Sequence, residues 1–226
     1  VSPKLVQQLV DDPSLMKLGG DTKILTCLFV DLVDFTPVSE RFQKNNDPQG
    51  LVTLINRLLS VLTDVVLSLD GTVITYMGDC IFALWNAPVD CDKHEERAVT
   101  CAAMMLVALE HLNEELELEG LPSLGIGIGI NTGPAVIGNT GGHNRFMYSP
   151  LGDSVNEAAR YESSSRKYDE DVLIGEATAK AVPHMVEYLD SIQVKGKTEN
   201  LEVYTLSSQT VSAAKLAEYW TSEIKS

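Results

Sequence analysis

The alternation of apolar and polar positions divides the chain into short strands and longer helices. Residues 23–32, KILTCLFVDL, are apolar on both faces, the pattern of a strand in the middle of a sheet. Residues 51–66 place Leu51, Leu54, Ile55, Leu58, Leu59 and Leu62 at helical spacing. Residues 72–85, TVITYMGDCIFALW, are two strand-forming runs around Gly78-Asp79, which predicts a two-residue hairpin turn. A helix over about 92–113 follows, with Ala98, Val99, Ala102, Met105, Leu106 and Leu109 as its apolar face.

The stretch LPSLGIGIGINTGPAVIGNTGG reads as a second hairpin. Leu124, Ile126, Ile128 and Ile130 share one face, and Gly125, Gly127 and Gly129 share the other. A strand face without side chains suits close approach by another backbone or a packed helix. The glycine spacing does not fit a dinucleotide fingerprint. GDSVNEAARYESSSRK then opens a helix, with Ser154 and Glu157 at capping-box spacing. A strand and short helix in DVLIGEATAKAV precede two final strands around Lys195-Gly196-Lys197. The order predicts an α+β fold: a ferredoxin-like βαββαβ core with a mixed or antiparallel sheet and flanking helices.

Composition narrows the function classes. Of 226 residues, 44% are hydrophobic and 22% charged, which is ordinary for a globular chain. The formal net charge of −15 argues against nucleic acid or an anionic membrane surface as partner, because phosphate backbones demand Lys and Arg. A nucleotide remains compatible, since cations can bridge two acidic partners. No run approaches the roughly 20 apolar residues of a membrane span, so no direct membrane contact is expected of this segment. The chain begins at Val1 without a signal-peptide pattern and reads as a fragment of a longer protein. Cys27, Cys80, Cys91 and Cys101 lack metal-site spacing and read as reduced thiols, in keeping with a cytoplasmic setting.

Asp31 ends a strand and Asp79 sits in the hairpin turn. Carboxylates at neighbouring strand ends can share one or two Mg²⁺ ions with phosphate as co-ligand. Singly, each is equally a turn former or a solvated charge. The chain after Asp31 enters a helix near Thr36, and helix N-termini bind phosphate through free N–H groups. Asn156 and Arg160 are four apart on one helix face, which suits either a ribose and phosphate or a surface salt-bridge face. Lys195 and Lys197 form a loop that suits phosphate or simple solvation.

Together these pieces resemble the class III nucleotidyl cyclase catalytic domain, the adenylyl/guanylyl cyclase family. The resemblance runs from about residue 23 to 206, through LFVDLVDFTPVSE, YMGDCIFALWNAP, GIGINTGPAVIGN, YSPLGDSVNEAARYE and VKGK. FALWNAP and YSPLGDSVN look most like bacterial members that carry N-terminal sensory and membrane modules. It implies conversion of ATP to 3′,5′-cyclic AMP and pyrophosphate. Asp31 and Asp79 would hold two Mg²⁺ or Mn²⁺ ions, Asn156 would orient the ribose, and Arg160 would stabilise the transition state. Lys195, with Arg145, and the backbone N–H groups of Phe35 and Thr36 would bind phosphates. It also implies a homodimer whose sites are shared between chains, within a larger protein of a kind that includes membrane-anchored members. On this reading residues 1–20 are a connector from an upstream module, 21–208 the cytoplasmic catalytic domain and 209–226 a weakly helical tail.

Two positions depart from the adenylyl pattern. Thr75 stands where adenylyl cyclases usually carry a purine-reading Lys, and Ser149 where they carry Asp or Thr. Guanylyl cyclases usually carry Glu and Cys there. The alternatives are therefore a guanylyl or relaxed-purine cyclase, or a nucleotide-binding regulatory domain with little catalysis. Asp34 stands where Gly or Asn is more usual and adds a carboxylate near the phosphate loop.

Overall fold

The computed structural model describes residues 19–142, 145–193 and 200–224. The elements are β1 (Gly19–Val33), α1 (Phe35–Lys44), α2 (Pro48–Ser68), β2 (Thr72–Met77), β3 (Cys80–Trp85), α3 (His94–Leu118) and β4 (Gly125–Gly142). After these come β5 (Arg145–Leu151), α4 (Asp153–Tyr168), β6 (Val172–Gly175), α5 (Glu176–Ala181), β7 (Val186–Gln193), β8 (Asn200–Leu206) and α6 (Ser208–Ile224). The eight-stranded sheet has the order β2-β3-β1-β4-β6-β8-β7, with β5 paired to β4. All pairings are antiparallel except β4 with β6. The β2-β3-β1-β4 portion, with α1–α2 and α3 as crossovers, is the expected ferredoxin-like α+β core.

Central β1 is apolar on both faces because both are covered. Leu28, Val30 and Leu32 join the main core beneath α2 and α3. Leu25, Cys27 and Phe29 join a second cluster with Phe82, Leu84, Val155 and Ala158 on the α4 side. Phe29 and Phe82 stack there with ring centroids 4.3 Å apart. Period-two alternation therefore puts Asp31 on the α4 side. The four cysteines are free thiols, Cys27 and Cys101 buried.

Three sequence expectations are corrected. The stretch over 121–142 is not a hairpin: β4 runs unbroken from Gly125 to Gly142 and pairs with β1 from Gly19 to Val33. Its N-T-G-P segment stays extended because the long β1 supplies a partner throughout. Pro134 falls between the stretches that pair with β6 (128–130) and β5 (136–142), where β4 needs fewer donors. The capping box does not form either. Gly152 is the N-cap, and β4 draws both side chains away: Ser154 Oγ donates to the Pro134 carbonyl (2.8 Å), and Glu157 accepts from Asn131 Nδ2 (2.9 Å). Finally, among the described residues one helix, α2, is long and apolar enough to cross a membrane by length and composition. In this fold its Leu54, Leu58, Leu62 and Val66 stripe is buried in the core. On its other side Arg57 pairs with Glu115 and Glu119 of α3.

The bare face of β4 receives α4. A Cβ on Gly129 would lie 2.2 Å from the Ala158 carbonyl oxygen and 2.2 Å from the Glu162 nitrogen. On Gly127 it would meet the Ser165 hydroxyl at 2.5 Å, and on Gly125 only Val33 Cβ at 3.5 Å. Clash with helix backbone cannot be relieved by a rotamer change, whereas Ser165 can turn. We expect Gly129→Ala to destabilise the domain by about 3 kcal/mol or more, Gly127→Ala by less and Gly125→Ala by little. Chemical denaturation of the three variants checks this gradient, and equal effects at all three positions would contradict it.

Candidate active site

The site is built where β1 outlasts its pairing with β3. That pairing ends at Val30–Ile81, while β1 continues alongside β4 to Val33. Asp31 stands at this point, opposite Gly127 in β4. Its own Oδ1 accepts the Leu32 N–H at 3.0 Å. Asp79 arrives from the β2–β3 turn, where Met77 pairs with Cys80 and Gly78 takes φ 69°. A Gly first in a two-residue turn supplies the positive φ that such hairpins need.

The two aspartates come together electrostatically. Burial pushes the Asp31 carboxyl above the usual carboxylate range and the Asp79 charge adds to this, against the Leu32 N–H and the Arg166 guanidinium. Two groups that the sequence reading did not single out join them. Glu162, half-buried on α4, is pushed up to about 7 by burial and then by Asp31, with Arg166 opposing and Asp79 adding to it. Cys80 is pushed up to about 12 by burial and by Asp31, Glu162 and Asp79, so its thiol stays protonated. The E-x-x-x-R spacing of Glu162 and Arg166 on the helix above the glycine face was the available signal for both.

Beyond β1 the chain turns sharply into α1. Asp34 is the N-cap residue with φ 54° and ψ 41°, the left-handed conformation, and makes no side-chain capping bond. Gly, Asn and Asp are the residues that visit this region most readily, which accounts for an Asp where Gly or Asn is the commoner choice. The side chain of Asp34 is exposed. Phe35 and Thr36 are the first two helical residues, whose N–H groups have no partner within the helix. A cavity of about 270 Å³ adjoins this turn, lined by Val33, Asp34, Ile126, Ser165 and Arg166 among others. A second cavity, about 440 Å³, lies between α3 and α6 and shares none of these residues.

The other expected residues lie elsewhere. Asn156 and Arg160 are exposed on α4. At about 100° per residue they point roughly 120° around the helix from Glu162 and Arg166. Thr75 is half-buried on β2 beside a bulge between Val73 and Thr75, and its hydroxyl donates to the Tyr76 carbonyl at 3.2 Å. Ser149 is half-buried on β5 opposite Gly138. β3, β1 and β4 separate the strands of Thr75 and Ser149, yet the preceding residues, Ile74 and Tyr148, pack on the same apolar cluster. Lys195 lies outside the described residues, as does the side chain of Arg145.

The donor set fits a hard divalent cation. The Asp79 charge raises the cost of ionising Asp31, which an added positive charge would relieve. Among the described residues no group of three or more His, Cys, Asp or Glu side chains is arranged to hold a metal. A pair of carboxylates that leaves the remaining positions to water and substrate phosphate is the usual Mg²⁺ arrangement.

A family model described as the adenylate and guanylate cyclase catalytic domain matches residues 20–208. Adenylate cyclase 1 of Rhizobium meliloti is 35% identical over 182 residues, 80% of this chain and 27% of that protein. The adenylate cyclase of Anabaena cylindrica is 29% identical over 199 residues, 84% of this chain and 38% of that protein. The chain thus spans well under half the length of these relatives. Among solved structures, the guanylyl cyclase Cya2 is 32% identical with a TM-score of 0.74, covering 84% of this chain and 96% of that one. The adenylyl cyclase CyaB from P. aeruginosa is 27% identical with a TM-score of 0.72, covering 84% and 97%. On fold and sequence, the chain belongs to the adenylate and guanylate cyclase catalytic domain family.

Proposed function

We propose that this chain converts ATP to 3′,5′-cyclic AMP and pyrophosphate. The observation that carries the reading is the electrostatic coupling of Asp31 to Asp79, with Asp31 just upstream of an uncapped helix N-terminus. In the proposed reaction the ribose 3′-oxygen forms a bond to the α-phosphorus. The bond from that phosphorus to the bridging oxygen breaks, and pyrophosphate departs with the electron pair while the 3′-proton passes to solvent. Asp31 and Asp79 would hold two Mg²⁺ or Mn²⁺ ions. When bound, such ions lower the pKa of the 3′-hydroxyl and offset charge on the phosphates. The N–H groups of Phe35 and Thr36 bind terminal phosphate oxygens. Asn156 orients the ribose and Arg160 stabilises the charge that builds on the reacting phosphate. Lys195 and Arg145 complete the phosphate set, and Thr75 and Ser149 face the purine.

The angle between the two faces of α4 supports a site shared by two chains. Asn156 and Arg160 point away from the face that meets Asp31, so a second copy would bring its own pair to this chain's aspartates. An isologous homodimer then carries two equivalent sites. Thr75 gives a specific reason to weigh GTP as an alternative substrate, because a neutral hydroxyl rejects the wrong purine less strongly than a buried Lys. The guanylyl cyclase among the similar structures supports keeping that reading open.

The direct test is incubation with ATP or GTP and Mn²⁺, with assay of both cyclic products. Cyclic AMP should dominate. A yield no greater than that of Asp79→Ala would reject the enzyme in favour of a regulatory domain, and excess cyclic GMP would reverse the substrate assignment. Asp31→Ala and Arg160→Ala should each be inactive alone and regain partial activity when mixed, since one hybrid site stays whole. No rescue in demonstrated mixed dimers would contradict the shared site. Thr75→Lys should shift the ATP-to-GTP preference toward ATP by about tenfold, the effect of roughly 1.4 kcal/mol.

A fourth outcome concerns pH. The carboxyl of Glu162 rises from its ordinary 4.5 to about 7 in the fold. Between these values the folded state binds more protons than the unfolded state, so stability falls as pH rises. The contribution is full below about 4.5 and lost through about 7. Metal-free protein in EDTA should therefore melt at lower temperature at pH 8 than at pH 5, and Glu162→Gln should narrow that difference. Parallel melting profiles for the two proteins would show that Glu162 is not crowded as described.

A further inference from the structure

Arg166 lies in the last turn of α4, and none of the roles above uses it. A basic residue there is favourable toward the helix dipole wherever its charge points. Lys167, in the same turn, lies against the Tyr168 ring, 5.1 Å from its centroid. Arg166 instead reaches across to β1, where its Nη2 donates to the Leu32 carbonyl at 3.1 Å. Both backbone polar groups of Leu32 are thereby held, since its N–H, in the preceding peptide, is bound by Asp31 Oδ1 at 3.0 Å. This happens just where β1 has lost β3 as a neighbour. A strand edge that loses its partner needs other groups for its backbone.

Resting on the cyclase reading, we propose that Arg166 is a positioning residue that locks the Asp31–Leu32 segment and the turn into α1. One bond would serve two parts of the site. Asp31 is fixed because the N–H it binds belongs to Leu32, whose carbonyl Arg166 holds one peptide further on. The N–H groups of Phe35 and Thr36 are fixed because only Val33 and the left-handed Asp34 separate them from Leu32. The lock also ties this segment to α4, whose other face carries Asn156 and Arg160. The relative placement of the two half-sites in each chain then depends on it. Arg166 needs no contact with substrate for this role.

The test compares Arg166→Met, Arg166→Lys and, as a control, Lys167→Met. Hydrogen–deuterium exchange is measured on metal-free protein, and kcat and KM are measured with Mn²⁺ and ATP. Arg166→Met should speed exchange in residues 31–36 by about tenfold while the α2 and α3 core is unchanged. It should also lower kcat by about 10-fold or more, the range found when supporting contacts to metal-binding groups are removed. Arg166→Lys keeps a donor and a charge and should restore kcat to within about threefold of wild type. Lys167→Met should match wild type in both measurements. Exchange in 31–36 within twofold of wild type in Arg166→Met, or no rescue by Lys, would overturn the lock. Equal losses in Lys167→Met would overturn it too, by assigning the effect to helix-end charge. A wild-type chain that makes no cyclic nucleotide would reject the cyclase reading, while the exchange comparison would still decide the lock.

Discussion

The structure depends on one close approach, the seating of α4 on the side-chain-free face of β4. At Gly129 the helix backbone sits where a Cβ would otherwise be. Lifting the helix by the thickness of a methyl group would move Glu162 and Arg166 away from Asp31 and open the apolar cluster around Val155 and Ala158. The contact is also directional. The backbone contact is closest at Gly129, against Ala158 and Glu162 in the middle of the helix, and relaxes through Gly127 to Gly125. One face of α4 is thus committed to the sheet, and the Asn156–Arg160 face is left for solvent or a partner.

A second constraint is charge. The chain carries a formal net charge of −15, and part of that excess is gathered at Asp31, Asp79 and Glu162. Such a gathering opposes folding, because burial and mutual repulsion both disfavour the charged carboxylates. Arg166 offsets some of it from within the chain, acting on both Asp31 and Glu162. The rest is left to protons or added cations. Cys80 beside these groups stays a neutral thiol, so it adds neither charge nor a ready nucleophile.

Much of this was legible in the sequence. The double-faced apolar pattern of residues 23–32 gave the central strand, and Gly78-Asp79 gave a true two-residue turn, because both signals are local. The glycine repeat gave a bare strand face, and α4 is what fills it. The misreadings came where a distant partner outweighed a local signal. N-T-G-P looks like a turn until β1 is seen to pair alongside it. Ser154 and Glu157 look like a capping box until the Pro134 carbonyl and Asn131 compete for them. For Asp31 and Asp79, strand-end placement left a shared metal site and ordinary turn or strand-end residues both open, and the resemblance favoured the metal site. Glu162 and Arg166 were passed over because they read as two charges on an amphipathic helix.

The pairing of β1 with β4 has a mechanical meaning. Fifteen consecutive residues of β1 are in register with β4, from Gly19 opposite Asn139 to Val33 opposite Gly125. Side chains alternate strictly along such a ribbon, so a slip of one residue would exchange the faces of Asp31 and Leu32. It would bury a carboxylate under α2 and α3 and turn Leu32 toward the α4 side. Intermediate positions break the ladder along its whole length. The carboxylate therefore cannot creep along the strand axis under load: the ribbon behaves as a rigid rod, and a pull on its Gly19 end reaches the site as a twist or tilt of the entire pair.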